Sequence, residues 1–564
     1  MNTTLNKLPA YQRAIAKGHL GSCGAPYDNL DRPIIAVVNS WNEIVPGHCH
    51  LRELAEDVKR GIVEAGGYPL EFNTIAICDG IAQGHNGMKY VLPSRELIVD
   101  SIEVMIRAHG IFDGMVLLGS CDKIVPAMLM AAARLNIPAA MVTGGPMINK
   151  IKPAESKAAR QQFIRGEIDE QKLVEVTVDY YPTAGVCPFL GTANTMCIVA
   201  ETLGMSLPGS AAVPAMSELR NKVAYNTGLV IMDLVKKDIK PRDIMSKSAF
   251  DNTVAVVLAM GGSLNTVLHL PAIAHECGLS VTYEDFDRIS RYVPLITRVV
   301  PNSQEYTVAD LYPVGGIPTI MNELKSVLHM ETLAINCKSL RENIVDTKPA
   351  DGAIIRTFDT AFTDEGGIAV LRGNIAPEGA VVKSSAVPTE MWKFSGPAKV
   401  FNSEEHCMDA IDNRRIVPGD VVVIRYEGPI GGPGMREMHR ATEVIGKVGN
   451  VAIVTDGRFS GASGGLSIGY LSPEAAEKGP IGLVQDGDII DINIFERRIH
   501  LRIDDEELNC RRANVKPVVK HEDDSEFLRL YGLTTTSAAK GAVRRRIKEE
   551  EWVSRNKEIE EGLL

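Results

Sequence analysis

Two cysteine–aspartate pairs carry the first hint of chemistry in this sequence. Cys78-Asp79 lies in "NTIAICDGIAQGHNGM", and Cys121-Asp122, followed by Lys123, lies in "GMVLLGSCDKIVPAM". Each pair ends an apolar run. A thiolate is a soft ligand suited to iron or zinc, whereas a carboxylate is a hard ligand suited to magnesium. A single Cys-Asp-Lys tripeptide would read more simply as a buried thiol, a helix cap and a surface charge; the second pair weakens that reading. "YYPTAGVCPFLGTANTM" adds Cys187 in a loop of glycine, proline and threonine that lets the backbone approach a bulky group. Further along, "RYEGPIGGPGMREM" surrounds Glu427 and Glu437 with glycines, and "VTDGRFSGASGG" exposes Ser460 on a tight turn after a strand. A serine acts as a base only where nearby cations lower its pKa greatly. Otherwise it is an ordinary turn residue.

Weaker signals surround these. His48, Cys49 and His50 form "HCH", a spacing that does not suit one tetrahedral zinc site. His85 in "GHNG" is equally a substrate contact or a loop hydrogen bond. Asn265 and Thr266 in "GGSLNTVLH" reach a substrate or simply start a helix. The "GGPGM" run lacks the Lys-Ser/Thr pair of a phosphate-binding loop.

The elements that must position these residues fall into two classes. Over the first ~350 residues, "RPIIAVVNS", "GMVLLGS" and "IPAAMVTGG" read as buried parallel strands. Between them, "HLRELAEDVKRGIVEAGG" and "PSRELIVDSIEVMIRAHG" have helical apolar spacing and stop at glycine. The alternation predicts βαβ units on a parallel sheet, with Cys121, Asp122 and Lys123 at the carboxyl end of a strand, where open α/β sheets hold ligands. From about residue 355 the pattern becomes β-rich: "PAKVFN", "PGDVVVIRYEGP", "NVAIVTDGRFSG" and "GDIIDINIFERRIHLRI" are strand-like, and Ile490, Ile492 and Ile494 alternate with polar residues. The expected division is an α/β domain over 1–354 and a β-rich domain over 355–564. The tail "RRRIKEEEWVSRNKEIEEGLL" is a charge-dense helix or a solvated extension.

The chain has 564 residues, 45% hydrophobic and 23% charged, enough for more than one large core. Its net charge of -11 disfavours nucleic acid or an anionic membrane as the main partner. A small molecule is the better expectation. The amino terminus reads as an amphipathic helix without an apolar signal core, and no stretch approaches a membrane span, so a cytoplasmic location is expected. Ten cysteines are scattered rather than clustered, which argues against a disulfide framework. Any cluster or metal ligands must therefore be gathered by the fold.

The motifs "CDKIVPAMLMA" and "AIVTDGRFSGAS", with "CDGIAQGH" and "TANTM", closely resemble the dihydroxy-acid dehydratase and phosphogluconate dehydratase family, which includes aldonate dehydratases. The resemblance runs along nearly the whole chain. It implies a homodimer whose protomer joins an α/β amino-terminal domain with a parallel sheet to a β-barrel-like carboxyl-terminal domain. It also implies an iron–sulfur cluster beside Mg2+. Cys121 and Cys187 match cluster-ligand positions; Asp79, Asp122 and Glu437 match magnesium ligands; Lys123 matches a carbamylated lysine, whose anionic oxygen suits a hard cation as an ammonium could not. Ser460 matches the base that removes the proton on carbon 2. Members with a [2Fe-2S] cluster carry a cysteine directly after the proline of the first loop, where this chain has Gly47, with Cys49 two residues on. The "CDG" pattern makes Cys78 the expected third ligand and favours a [4Fe-4S] cluster over [2Fe-2S], with Cys49 the other choice and Cys197 structural.

The implied reaction is dehydration of a 2,3-dihydroxy carboxylic acid to a 2-keto acid. The leading substrates are the branched acids of valine and isoleucine biosynthesis. Because "GVCPFLGTANTM" and Ala127 depart from the pattern of biosynthetic members, a sugar-acid (aldonate or phosphogluconate) dehydratase is the alternative. A non-catalytic iron–sulfur sensor that binds RNA is a remote third, against which the acidic charge stands.

Overall fold

The computed structural model describes residues 3–438, 440–442, 448–459, 465–514, 518 and 525–545. Ser460 and the charged tail beyond 545 lie outside the described residues.

The amino-terminal half is built on four parallel strands, β1 (Ile34–Asn39), β2 (Tyr68–Asn73), β3 (Gly114–Leu118) and β4 (Ala139–Val142), in the order β2-β1-β3-β4. β1, β3 and β4 are wholly buried, as continuous apolar runs require. Helices Leu51–Glu64, Pro93–His109 and Ile124–Leu135 make the crossovers. Pro93–His109 ends at Gly110 in the left-handed conformation, the stop that the sequence predicts. The strand order reverses between β1 and β3. A crevice therefore opens at the carboxyl ends of those two strands, where their outgoing loops part in opposite directions.

The predicted βα alternation extends less far than expected. After β4 the amino-terminal half is helical: "TANTMCIVAET", "KSAFDNTVAVVLAM" and "TVLHLPAIAHEC" carry apolar residues on nearly every face and form the largely buried helices Thr192–Thr202, Lys247–Met260 and Thr266–Cys277. Short apolar runs do not distinguish a buried strand from a buried helix. Helix Glu218–Lys237 crosses Leu51–Glu64 closely enough that a Cβ at Gly61 would fall 2.1 Å from the Tyr225 carbonyl oxygen. Only glycine permits that approach.

The carboxyl-terminal half closes eight strands into a barrel. They are β5 (Ala369–Gly373), β6 (Ala376–Val382), β7 (Lys393–Phe401), β8 (Val421–Ile424), β9 (Ala452–Thr455), β10 (Ser467–Ser472), β11 (Ile489–Asn493) and β12 (Arg498–Leu501), in the order β10-β6-β5-β12-β11-β7-β8-β9. Period-two alternation sorts the side chains: Val382, Val421, Val423, Ile468, Ile490 and Ile492 fill the interior. Val370, Val381 and Tyr470 point outward into the core shared with the amino-terminal half. The outer wall of the barrel is thus continuous with the α/β core. Among the described residues, no helix is long and apolar enough to cross a membrane.

One buried charge has no evident structural use. Lys383, directly after β6, is buried, and among the described residues its Nζ has no hydrogen-bond partner. Burial alone pushes its pKa down to about 8. A lysine depressed in the folded state weakens the fold wherever the unfolded chain stays protonated. The penalty is complete below pH 8 and disappears as pH rises toward the ordinary lysine value. The difference corresponds to about 3 kcal/mol. Lys383→Met is therefore expected to raise the thermal midpoint at pH 7, with the gain fading by about pH 10.5; a gain independent of pH would remove this explanation.

Candidate active site

The segment Gly119–Lys123 leaves β3 at the strand-order reversal and turns into helix Ile124–Leu135. His48, from the neighbouring β1 loop, fixes that turn. Its Nε2 accepts from the Cys121 N–H at 3.1 Å, and its Nδ1 lies 3.0 Å from the Ser40 carbonyl oxygen. Nδ1 must then carry the proton, and burial holds the ring neutral by pushing its pKa down to about 4. His50 turns away to the Gly144 carbonyl at 3.0 Å, and Cys49 points its thiol at the Pro46 carbonyl. "HCH" therefore faces three directions, and no zinc site forms from it. Among the described residues, no three His, Cys, Asp or Glu side chains already stand in metal-binding geometry.

Cys78, Cys121 and Cys187 nevertheless lie close enough for their charges to act on one another. The Cys121 thiol is pushed well up, first by burial and then by Asp79, Cys78, Cys187 and Cys197. Cys187 is raised by burial and then by Asp79, Asp122, Cys78 and Cys197. Asn194 clamps the Cys187 loop by donating to the Cys187 and Phe189 carbonyls at 2.7 and 2.9 Å. Cys197, at the back of this group, donates to the Ser120 carbonyl and lies within a fully buried helix. Cys78, at the amino end of a short helical turn, is only half-buried, as a thiol on the open side of a pocket would be. A Cβ at Gly47 would come 2.8 Å from the Cys121 sulfur. Position 47, not 49, thus borders Cys121, and there the chain offers a glycine. Thiols that burial and neighbouring acidic groups hold protonated become thiolates where a metal draws off their protons.

The carboxylates meet on the other side of Cys121. Asp122 pairs with Lys123, whose Nζ also lies 3.7 Å from Glu437 Oε1. Glu437 reaches in from the carboxyl-terminal half, where a backbone bridge ties it to Arg458. Its Oε1 accepts from Arg458 Nη1 at 2.5 Å and from Asn265 Nδ2 at 2.7 Å. Desolvation, then Asp122 and Glu437, push the Asp79 carboxyl well up. Desolvation, then Arg458, push the Lys123 amine down. Three carboxylates face two bases, leaving an excess of negative charge and hard oxygen donors. A divalent cation fits that set.

Asn265 does more than start a helix. It makes no capping bond; its amide donates to Glu437 and to Thr192 Oγ1, and its carbonyl accepts from the Tyr470 hydroxyl. Thr266, by contrast, donates its hydroxyl to the nearby Ser263 carbonyl. His85 bonds Ile81 and Gly87 locally, yet it borders a cleft of about 310 Å³ together with Asn86, Glu405, Arg436 and Glu437. Glu427 is bound to Arg436 and stands apart from this cluster. Sequence reasoning passed over Arg458 and Tyr470. Arg458 sat within the quoted "TDGRFSG", but an arginine in a glycine turn normally reads as solvated, and here it is fully buried.

This arrangement draws on both halves of the chain, and both halves match known families. The dihydroxy-acid/6-phosphogluconate dehydratase N-terminal family matches residues 32–343, and its C-terminal counterpart matches residues 353–542. A dihydroxy-acid dehydratase of Caldicellulosiruptor saccharolyticus is 46% identical over 544 residues, covering 94% of this chain and 98% of that protein. The dihydroxy-acid dehydratase of Methanobrevibacter smithii is 47% identical over 543 residues, covering 95% and 98%. That of Acetivibrio thermocellus is 48% identical over 544 residues, covering 94% and 98%. With the fold, the converging residues and full-length similarity in agreement, this chain belongs to the dihydroxy-acid/6-phosphogluconate dehydratase family.

Proposed function

We propose that the chain dehydrates branched 2,3-dihydroxy carboxylic acids to 2-keto acids, as a dihydroxy-acid dehydratase of valine and isoleucine biosynthesis. What supports this reading is that Cys121, Asp122 and Lys123 lie within electrostatic reach of Cys78, Asp79, Cys187 and Glu437, with Lys123 Nζ 3.7 Å from Glu437 Oε1. Cys78, Cys121 and Cys187 would hold an iron–sulfur cluster, [4Fe-4S] in preference to [2Fe-2S]. Asp79, Asp122, Glu437 and a carbamylated Lys123 would hold Mg2+. When bound, the cluster supplies a Lewis acid for the departing 3-hydroxyl, and the cation supplies charge for the carboxylate and 2-hydroxyl.

The chain's own residues supply orientation and proton transfer. Asn265 and Arg458 fix the Glu437 carboxylate, so its position does not depend on substrate. Ser460, two residues beyond Arg458, is assigned as the base. It takes the proton from carbon 2 as the C2=C3 bond forms and the C3–O bond breaks. The departing hydroxide takes up the proton that Ser460 removed and leaves as water, and the enol gives up its O–H proton as carbon 3 gains one, which yields the keto acid. Ser460→Ala is expected to lower turnover on the order of a hundredfold while cluster absorbance is retained; unchanged turnover removes Ser460 from this role. The resemblance further assigns a cytoplasmic homodimer, which light scattering tests for the assembly.

A second reading has one observation in its favour. The cleft beside Glu437 is bordered by His85, Asn86, Glu405 and Arg436, hydrogen-bonding groups that suit the hydroxyls of a sugar acid better than an alkyl branch. Keto-acid formation by anaerobically purified protein with Mg2+ decides between them. The panel is 2,3-dihydroxyisovalerate beside gluconate, xylonate, arabinonate and phosphogluconate. Preference for the branched acid is expected; preference for a sugar acid overturns the first reading.

A further inference from the structure

His269 sits wholly buried in the first turn of helix Thr266–Cys277, one turn after Asn265 and on the same face. Its Nδ1 lies 3.2 Å from Arg95 Nη1. A guanidinium is always protonated and has no acceptor, so Nδ1 must accept and the ring proton must sit on Nε2. Arg95 is itself held rigid. It bonds the Glu96 carboxylate and donates to the Gly541 and Ala542 carbonyls at 2.8 Å. The tautomer of His269 is thereby set by a fixed cation.

The resulting Nε2–H has no hydrogen-bond partner among the described residues. Leaving such a donor buried and unpaired is costly unless something occupies it in the working protein. The charges acting on His269 are those of Lys123, Arg95 and Arg458. Asn265, one turn before His269 on the same helix face, donates to Glu437 Oε1, which Lys123 Nζ approaches at 3.7 Å and Arg458 Nη1 at 2.5 Å, so His269 stands on the helix face that borders these two cations. Helix Thr266–Cys277 also packs on helix Ile124–Leu135, which Lys123 caps. Arg458 Nη2 is a second unpaired donor there among the described residues. Two donors without acceptors therefore lie around a lysine whose unmodified side chain offers no anionic oxygen.

We propose that the Nε2–H of His269 is the positioning donor for a carbamate on Lys123, with Arg95 fixing the tautomer that makes it one. This rests on the carbamylated lysine in the proposed function. In that modification the amine lone pair attacks the carbon of carbon dioxide, one C=O π pair moves to oxygen, and the nitrogen releases a proton to water. The new carboxylate gives His269 its acceptor while leaving oxygen lone pairs for a cation.

The test is a titration of the full-length holoenzyme with carbon dioxide. The carbamate is trapped as its ethyl ester with triethyloxonium ion, and occupancy of the Lys123 peptide is read by mass spectrometry. H269N keeps an acceptor for Arg95 but lacks the distal donor, and it is expected to need roughly ten- to a hundredfold more carbon dioxide for half occupancy. H269Q places an amide N–H near the Nε2 position and is expected to stay within about threefold of the unmodified protein. An H269N curve that coincides with the unmodified protein overturns the inference and leaves Lys123 carbamylation standing. No adduct on Lys123 in the unmodified protein overturns both. If H269N does not fold, a crystal structure of the holoenzyme grown with bicarbonate decides the point: Nε2 within about 3.2 Å of a carbamate oxygen supports the assignment, and separation beyond hydrogen-bond reach overturns it.

Discussion

Cys78→Ser, Cys121→Ser and Cys187→Ser are each expected to abolish the visible absorbance of an iron–sulfur cluster and take dehydration to the detection limit, whereas Cys49→Ser keeps both. The argument is positional. Cys121 feels Cys78 and Cys187 directly, while the charged neighbour of Cys49 is Glu53 and its thiol is turned to a backbone carbonyl. Serine preserves size but is a hard, weakly acidic ligand, so it does not replace a thiolate on iron. Three protein ligands would leave one iron of a four-iron cluster open to substrate. Iron content near four per chain fits that arrangement, and a content near two identifies the [2Fe-2S] alternative. Loss of the cluster in Cys49→Ser with retention in Cys78→Ser would reverse the assignment of the third ligand.

The legible part of this protein was its local chemistry. Cys78, Asp79, Cys121, Asp122 and Lys123 stand out because polar, metal-seeking residues end apolar runs, and strand ends are where α/β sheets present side chains. The alternation at Ile490 and Ile492 was equally readable, because one face of β11 fills the barrel. The less legible features depend on distant partners. The largely buried helices Lys247–Met260 and Thr266–Cys277 lose the amphipathic period that would separate them from strands. Asn265 shows as a helix start, since its engagement with Glu437 joins residues 172 positions apart. His269 and Arg95 are hidden for the same reason: their hydrogen bond spans 174 positions. Gly47 stands out in the sequence as a departure, but only the fold shows that it borders the Cys121 sulfur.

Glu437→Gln is expected to lower kcat/KM by roughly a thousandfold and to raise the Mg2+ concentration needed for half-maximal activity, while the fold survives. Glutamine preserves the shape and leaves an amide oxygen to accept from Asn265 Nδ2 and Arg458 Nη1, so the hydrogen-bond frame is retained. What disappears is one of the four anionic oxygen donors, Asp79, Asp122, Glu437 and the carbamylated Lys123, proposed to hold the dication, and losing several kcal/mol of charge stabilisation corresponds to that rate effect. Glu437→Ala separates the two contributions. It removes the acceptor as well, leaves the wholly buried Arg458 without its carboxylate, and is expected to destabilise the fold by about 3–5 kcal/mol. Thermal midpoints and Mg2+ titrations of the two variants therefore diverge: both lose activity, and only the alanine variant loses much stability. Activity of Glu437→Gln within threefold of the unmodified protein, with an unchanged Mg2+ requirement, would remove Glu437 from the cation site and leave it as a purely structural tie between the two halves of the chain.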